Sequence, residues 1–328
     1  MTMPTVAVLD FMPPASRDVI TELFGTDFEI VFVPDNSAAA KRTAAADATV
    51  LLTMWGAVDA DTLAAAPKAR LVQKLGVGVD KIDSEAAAAR GVVVLKAAGI
   101  NAEAVAELAV LLTLAVGRNL PKATEAARTG QVVKEALRAE SFQLLGKTVG
   151  LLGLGHIGQA VARRLGGFGV ELIYHDLRRA APEVEAECAI RYVSVDELVA
   201  TADVLSLHLP STPATDRIIG ADVLSRTKPG LILINTARGS LVDEHALAQA
   251  IKDGRVLGAG LDVTETEPIP ADSPLLGLER VVLTPHVGGA VANNFPRVIG
   301  RAHRNARAVL DGGTVEPADI VVWPAEVK

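Results

Sequence analysis

Val149-Gly150-Leu151-Leu152-Gly153-Leu154-Gly155-His156-Ile157-Gly158 is the stretch that decides the reading of this chain. A short apolar run ends in G-x-G-x-x-G, and a helical pattern through Val161 and Leu165 follows. Gly153 allows a tight turn, Gly155 lets the backbone approach a pyrophosphate, and Gly158 lets the helix pack against the strand. A helix opening at His156 and Ile157 offers N–H groups and a positive dipole end to phosphates. Asp176 ends the next apolar run, 176 − 158 = 18 residues beyond the last glycine. An acid there accepts hydrogen bonds from the ribose hydroxyls of an adenosine. It also repels a 2′-phosphate, so the expected cofactor is NAD rather than NADP. Arg178 and Arg179 follow at once, either as a solvated loop or as a counterweight to that preference.

Outward from this turn, short apolar runs alternate with Ala-rich helical segments. Before it, strands are predicted at Val6–Leu9, Glu29–Val33, Thr49–Thr53, Leu71–Leu75 and Val92–Leu95. Helices are predicted between them at Ser16–Phe24, Ala38–Ala46, Asp59–Ala66 and Ser84–Ala89. Asn101–Leu120 reads as one long helix that Pro121 ends or kinks. After the turn, strands are predicted at Glu171–Tyr174, Val204–Leu207, Leu231–Ile234, Val256–Ala259 and Val281–Thr284, giving six with Val149–Leu152. A last helix covers Val298–Leu310 and stops at Gly312-Gly313, and the apolar tail with Val321, Val322 and Trp323 should pack. The β-α rhythm predicts an α/β protein with two Rossmann-like, doubly wound parallel-sheet domains.

Composition agrees. A chain of 328 residues suits two domains. Aromatics are 3% of residues, so Ala, Val, Leu and Ile must build the core. The net charge of 32 − 39 = −7 argues against nucleic acid as a partner. The one cysteine, Cys188, has no partner for an internal disulfide, cannot build a thiolate metal site and fits a reducing compartment. The start lacks a basic region before its apolar run, and Leu108–Gly117 is too short to span a bilayer. These features predict a soluble cytoplasmic protein with neither a metal nor a membrane anchor.

In an open α/β sheet, ligands sit beyond the carboxyl ends of the strands. His208 and His286 both follow strands, and position alone leaves them tied as the proton-moving group. His175 lies on the adenosine side, while His245 and His303 lie in helices. Arg238 follows the Leu231 strand in Asn235-Thr236-Ala237-Arg238-Gly239, where it can grip a carboxylate or serve as a surface ion pair. Glu267, in Thr264-Glu265-Thr266-Glu267-Pro268, reads by itself as a loop acid.

Together these stretches resemble the D-isomer-specific 2-hydroxyacid dehydrogenases, whose relatives include phosphoglycerate, glycerate, hydroxypyruvate and glyoxylate reductases. The matching segments are Leu75–Asp80, Asn101–Glu107, Gly153–Gly158, Asn235–Asp243, Leu261-Asp262-Val263 through Glu267-Pro268, and Pro285–Gly289. The resemblance implies a catalytic set of Arg238, Glu267 and His286, which resolves the histidine tie. It implies that Val77 and Gly78, with Arg238 and His286, bind a small 2-keto or 2-hydroxy acid. It implies cofactor contacts at Gly153, Gly155, His156, Ile157, Gly158, Asp176, His208, Pro210, Thr236, Ala237, Arg238, Asp262, His286 and Gly288. It assigns residues 1–99 plus 290–328 to a substrate domain and 100–289 to an NAD-binding domain, with a cleft between them. A homodimer is also implied, and the apolar helix from Asn101 is the expected contact surface.

Some features depart from the family. Phosphoglycerate dehydrogenases carry an Arg-Ser pair where this chain reads Thr53-Met54-Trp55-Gly56, so nothing in that quartet grips a phosphate. Small unphosphorylated 2-keto acids are therefore expected, with phosphoglycerate dehydrogenase activity as the alternative. The loop after His286 reads Ala290-Val291-Ala292-Asn293-Asn294, without the family's usual acid. The chain stops at Lys328, so no regulatory domain of the serine-pathway type is expected. The rival from another class is an NAD(H)-sensing, corepressor-like binding protein of the same fold.

Overall fold

A computed structural model describes residues 3–324. The chain forms two compact units, Met1–Asn101 with Val291–Lys328, and Ala102–Ala290.

In the first unit the strands are β1 (Thr5–Val8), β2 (Glu29–Phe32), β3 (Val50–Thr53), β4 (Leu71–Lys74) and β5 (Val93–Leu95). They pair in parallel in the order 2-1-3-4-5. Both faces are buried. Val6, Val8, Val50, Leu52, Leu71 and Leu95 pack on one side with Phe24 and the helix Phe295–Asp311. Ala7, Leu51, Val72 and Val94 pack on the other with Ala45, Leu63 and Ala87. This two-residue alternation is why the strands read as continuous apolar runs.

Among the described strands the one antiparallel pairing lies at the edge of this sheet. The tail strand Ile320–Val322 pairs antiparallel with β5, Ile320 opposite Leu95 and Val322 opposite Val94. The last helix ends at Gly312 in the left-handed conformation (φ 73), and the returning chain covers an edge that would otherwise be open.

The second unit holds β6 (Thr148–Leu152), β7 (Glu171–His175), β8 (Ile190–Tyr192), β9 (Val204–Leu207), β10 (Leu231–Asn235), β11 (Val256–Leu261) and β12 (Val281–Leu283). All pair in parallel, in the order 8-7-6-9-10-11-12. The sheet has seven strands rather than the six expected. The extra one, β8, is a three-residue edge strand with Arg191 exposed at its centre, too short to announce itself. The strand order reverses between β6 and β9, which is where a doubly wound sheet binds its ligand.

The long helix is also shorter than expected. Ala102–Gly117 ends before Asn119, which is left-handed at φ 47, and Leu120–Thr129 starts a new helix. Pro121 begins the second helix rather than ending the first, because its missing N–H is harmless in a first turn. The first helix buries Ala106, Ala109, Leu112 and Val116 in the core of its own unit. Its other face leaves Leu111 exposed. Among the described residues no single helix is long and apolar enough to cross a membrane.

Candidate functional site

The strands of the second unit end in one row. His175, Leu152, Leu207, Asn235, Leu261 and Leu283 stand opposite one another across β7, β6, β9, β10, β11 and β12. The next residue on each strand is Asp176, Gly153, His208, Thr236, Asp262 and Thr284. Five of these six are residues that the sequence singles out. Neighbouring strands lie ~4.8 Å apart, so the row gathers residues over a hundred positions apart in the chain.

Gly153 sits at the reversal with φ 100, and a Cβ there would lie 2.6 Å from the His208 carbonyl oxygen. At Gly158 a Cβ would overlap the Gly153 carbonyl. Gly155 differs, since a Cβ there would meet nothing within 4 Å. Its side is open, which is what backbone approach by a phosphate requires. Gly155 caps the helix His156–Leu165 without a side-chain hydrogen bond, so the first N–H groups of that helix have no capping side chain. His156 is exposed and Ile157 is half-buried.

Asp176 ties the turn to β7. Its Oδ2 accepts from Leu154 N at 2.8 Å and its Oδ1 from Arg178 N at 3.2 Å. Two groups nearby on the row are buried without a hydrogen-bond partner, His208 Nδ1 and Thr236 Oγ1. Orphaned buried polar atoms are costly, and such a pair fits a site that a polar ligand completes. Burial pushes the His208 imidazole down to about 4. Its Nε2 lies 3.0 Å from Ser206 Oγ. Burial thus disfavours the protonated form of the His208 ring.

The Asn235 side chain shapes the next loop, accepting from Ala237 N at 3.0 Å and donating to the Arg238 carbonyl at 2.7 Å. Arg238 is half-buried, and its Nη1 donates to the Ala237 carbonyl at 2.6 Å. Gly239 leaves room for the loop that carries Glu267, because a Cβ there would overlap the Thr264 carbonyl. The same loop is held by Glu244, whose Oε1 accepts from Glu265 N at 2.6 Å. Burial raises the Glu244 carboxyl. Pro210 is exposed in the loop after β9, and its carbonyl accepts from Thr215 Oγ1 at 2.8 Å.

His286 and Glu267 meet. His286 Nδ1 lies 2.9 Å from Glu267 Oε2, with the histidine side chain 51% exposed. His286 is left-handed (φ 53), a conformation that side chains seldom adopt without enforcement. Asp262 supplies the enforcement. Its carbonyl accepts from His286 N at 2.8 Å. Its Oδ1 accepts from Thr284 Oγ1 at 2.6 Å and Val287 N at 2.9 Å, and its Oδ2 from Gly288 N at 2.8 Å. The sequence offers Asp262 and Gly288 as cofactor contacts. In the structure the Gly288 N–H is taken by Asp262, and both carboxylate oxygens hold the histidine loop.

In the first unit, Val77 and Gly78 follow β4, and among the described residues their N–H groups donate to no protein acceptor. The Thr53–Gly56 quartet begins on the last residue of β3. It carries no cation itself, but two lysines flank it. Lys74 Nζ donates to the Met54 carbonyl, and the buried Lys41 reaches the Ala57 carbonyl at 3.5 Å.

Comparison with known proteins adds four findings. Residues 110–288 match the model of the D-isomer specific 2-hydroxyacid dehydrogenase NAD binding domain. The chain is 41% identical to D-3-phosphoglycerate dehydrogenase of Mycobacterium tuberculosis over 97% of its own length, yet it spans only 59% of that protein. It is 39% identical to glyoxylate reductase of Korarchaeum cryptofilum, covering 94% of this chain and 93% of that one. Among solved structures, an NAD-dependent formate dehydrogenase from Staphylococcus aureus in complex with NAD matches with a TM-score of 0.84 at 28% identity, covering 98% of this chain and 99% of that one.

Proposed function

The chain belongs to the D-isomer specific 2-hydroxyacid dehydrogenase family, with the NAD-binding domain at residues 110–288, and from that premise we propose that it interconverts a small 2-keto acid and its D-2-hydroxy acid. The observation that carries this reading is the His286–Glu267 pair at 2.9 Å, on the edge that also bears the Gly153–Gly158 turn and Asp176. The relatives it matches are named as enzymes, which disfavours the binding-protein alternative.

NAD(H) supplies or accepts the hydride when bound. The Gly153–Gly158 turn, His156 and Ile157 would hold its phosphates and Asp176 its ribose. The unpartnered Thr236 Oγ1 and His208 Nδ1 support a polar ligand along the rest of the edge, past Pro210, Ala237, Asp262 and Gly288. His286 exchanges the proton. Its Nδ1 faces Glu267, which leaves Nε2 to donate to the carbonyl oxygen in reduction and to accept from the hydroxyl in oxidation. Glu267 fixes the ring orientation. Arg238 grips the substrate carboxylate and polarises the carbonyl. Val77 and Gly78 are proposed to offer N–H groups to a substrate carboxylate.

The proposed substrates are unphosphorylated, such as glyoxylate or hydroxypyruvate. Lys41 and Lys74 flank the Met54-Trp55 loop but donate to backbone carbonyls. A second reading, phosphoglycerate dehydrogenase, is favoured by those lysines and by the identity to the mycobacterial protein. Steady-state oxidation of NADH with a panel of 2-keto acids decides. A tenfold preference for 3-phosphohydroxypyruvate would install the second reading, and no turnover of any 2-keto acid would reject both.

We also propose a cytoplasmic homodimer. Cys188 is buried and unpaired, as a reducing compartment allows. The helix Lys134–Glu140 buries none of its residues within the chain, and Leu120, Val132 and Leu145 beside it are exposed. Leu145 also lines a groove of about 350 Å³ with Leu114, Phe142, Leu144 and Phe168. Sedimentation at micromolar concentration should give a dimer, and a monomer would refute it.

A further inference from the structure

Two cations follow the ribose-side acid in Asp176-Leu177-Arg178-Arg179, and the structure treats them differently. Arg178 is exposed, with its backbone N–H on Asp176. Arg179 is held. Its Nε donates to Glu185 Oε1 and its Nη2 to Glu185 Oε2, both at 2.9 Å. Its guanidinium lies over the Tyr192 ring, 5.6 Å from the centroid. Glu185 is itself anchored from below by the buried Tyr174, whose hydroxyl donates to Oε1 at 2.7 Å and accepts from Ala180 N at 2.9 Å. The bonds from Arg179 and then Tyr174 pull the Glu185 carboxyl down to about 2, so the partner keeps its charge at every working pH.

We propose that Glu185 is a specificity-determining residue for the cofactor, which acts by withholding Arg179 from a 2′-phosphate. This inference rests on the reading that the Gly153–Asp176 edge takes NAD. An arginine recognises phosphate through two parallel N–H donors, and Glu185 occupies such a pair, Nε and Nη2. The loop that would otherwise present a cation to a phosphorylated ribose is closed against it by an acid on the helix Pro182–Glu187. Asp176 repels the phosphate, and Glu185 engages Arg179, one of the two cations that could offset the repulsion. The two act by different means, so their effects separate experimentally.

The test is calorimetric binding of NAD+ and NADP+ to the full chain, with no turnover involved. Glu185→Gln keeps an oxygen for the Tyr174 hydroxyl and removes the charge that holds Arg179. NADP+ should then bind about tenfold more tightly, the lower range for a hydrogen bond to a charged group at an exposed site. NAD+ should change less than twofold. Adding Arg179→Ala should return the NADP+ constant to the wild-type value. Arg179→Ala alone, which does not depend on tolerance of the Glu185 change, should leave NADP+ binding where it was. Weaker NADP+ binding in that single variant would mean that Arg179 already serves the phosphate and would overturn the proposal. So would an unchanged NADP+ constant in Glu185→Gln, or a gain that survives loss of Arg179. No NAD+ binding by the wild type would overturn the cofactor reading and this inference together, whereas NAD+ binding with those outcomes would overturn this inference alone.

Discussion

Asp10 in the first unit and Asp262 in the second do the same structural work, 1% and 2% exposed respectively. Each lies just past a strand end and holds the loop that follows the neighbouring strand. Asp10 Oδ2 accepts from Thr53 Oγ1 at 3.1 Å and Met54 N at 2.6 Å, and Oδ1 from Gly56 N at 2.7 Å. Asp262 repeats the arrangement with the Thr284 hydroxyl and Val287 N on one oxygen and Gly288 N on the other. The loops differ in what lies inside the clamp. The first donor N–H comes one residue after Thr53 but three after Thr284, so Pro285 and His286 are inserted in the second. The insertion is pushed out at φ 53 as an exposed histidine facing Glu267. The shorter loop offers Met54 and Trp55 instead. One buried carboxylate per unit fixes a loop, and loop length decides whether it presents the His286 imidazole or the Met54-Trp55 pair.

The largest effect should follow from removing the inserted group. His286→Gln should lower kcat at least ~10²-fold, the low end for loss of general acid–base catalysis, with NAD+ affinity unchanged. Wild-type turnover would place the chemistry elsewhere and empty the comparison. Next comes the clamp. Asp262→Asn places an NH2 group against N–H donors in a buried site, where each hydrogen bond to a charge is worth about 1.5–3 kcal/mol. Urea unfolding should show a loss of about 2–4 kcal/mol, and kcat should fall about tenfold as the histidine loses its fixed position. Asp10→Asn should cost similar stability, yet raise KM for the 2-keto acid severalfold with kcat within about twofold. If the two variants lose kcat equally, the loops do not divide the labour as described.

The clamps also mark where sequence reading stops. The Gly153–Gly158 turn was legible because its requirements are local: one positive φ, one helix packed on its strand, one open face. The strands were legible because both sheet faces are buried, which turns them into apolar runs. Asp10 and Asp262 were not legible in this role, since their partners lie 43–46 and 22–26 residues away and only register brings them together. Lys74 and Lys41 reach the Met54 loop from β4 and from the helix Ala38–Ala45, which only the fold brings beside it. The tail strand was missed because three residues gain their conformation from the edge of β5 rather than from their own pattern. Ile190–Tyr192 was missed for the same reason at the other sheet's edge.

A smaller effect should come from Glu244, which holds the loop that carries Glu267. Its bond to Glu265 N fixes the segment two residues before Glu267. Glu244→Ala should lower kcat severalfold, and Glu244→Gln, which keeps an acceptor oxygen, should restore most of it. If Gln is as impaired as Ala, the charge matters rather than the anchor. Arg217, which meets Glu265 at 3.4 Å, is then the group to vary next.

The smallest effect separates the two edges by their response to acid. The row on the second sheet contains His208, whose imidazole burial pushes down to about 4. In the unfolded chain the ring takes its proton near the ordinary value of ~6.5. Between those values the unfolded state binds a proton that the folded state refuses, so stability falls as pH drops from about 6.5 towards 4 and is flat above. The corresponding row of the first sheet, one residue beyond Phe32, Val8, Leu52, Gln73 and Leu95, reads Val33, Leu9, Thr53, Lys74 and Lys96, without a histidine. His208→Gln should therefore be relatively more stable at pH 5 than at pH 7 by about 1–2 kcal/mol, after allowance for partial exposure of the residue. Urea unfolding of both proteins at the two pH values measures the difference. An equal stability gap at pH 5 and pH 7 would mean that His208 titrates in the fold as it does in the open chain. The second edge would then be no more closed to solvent than a surface loop.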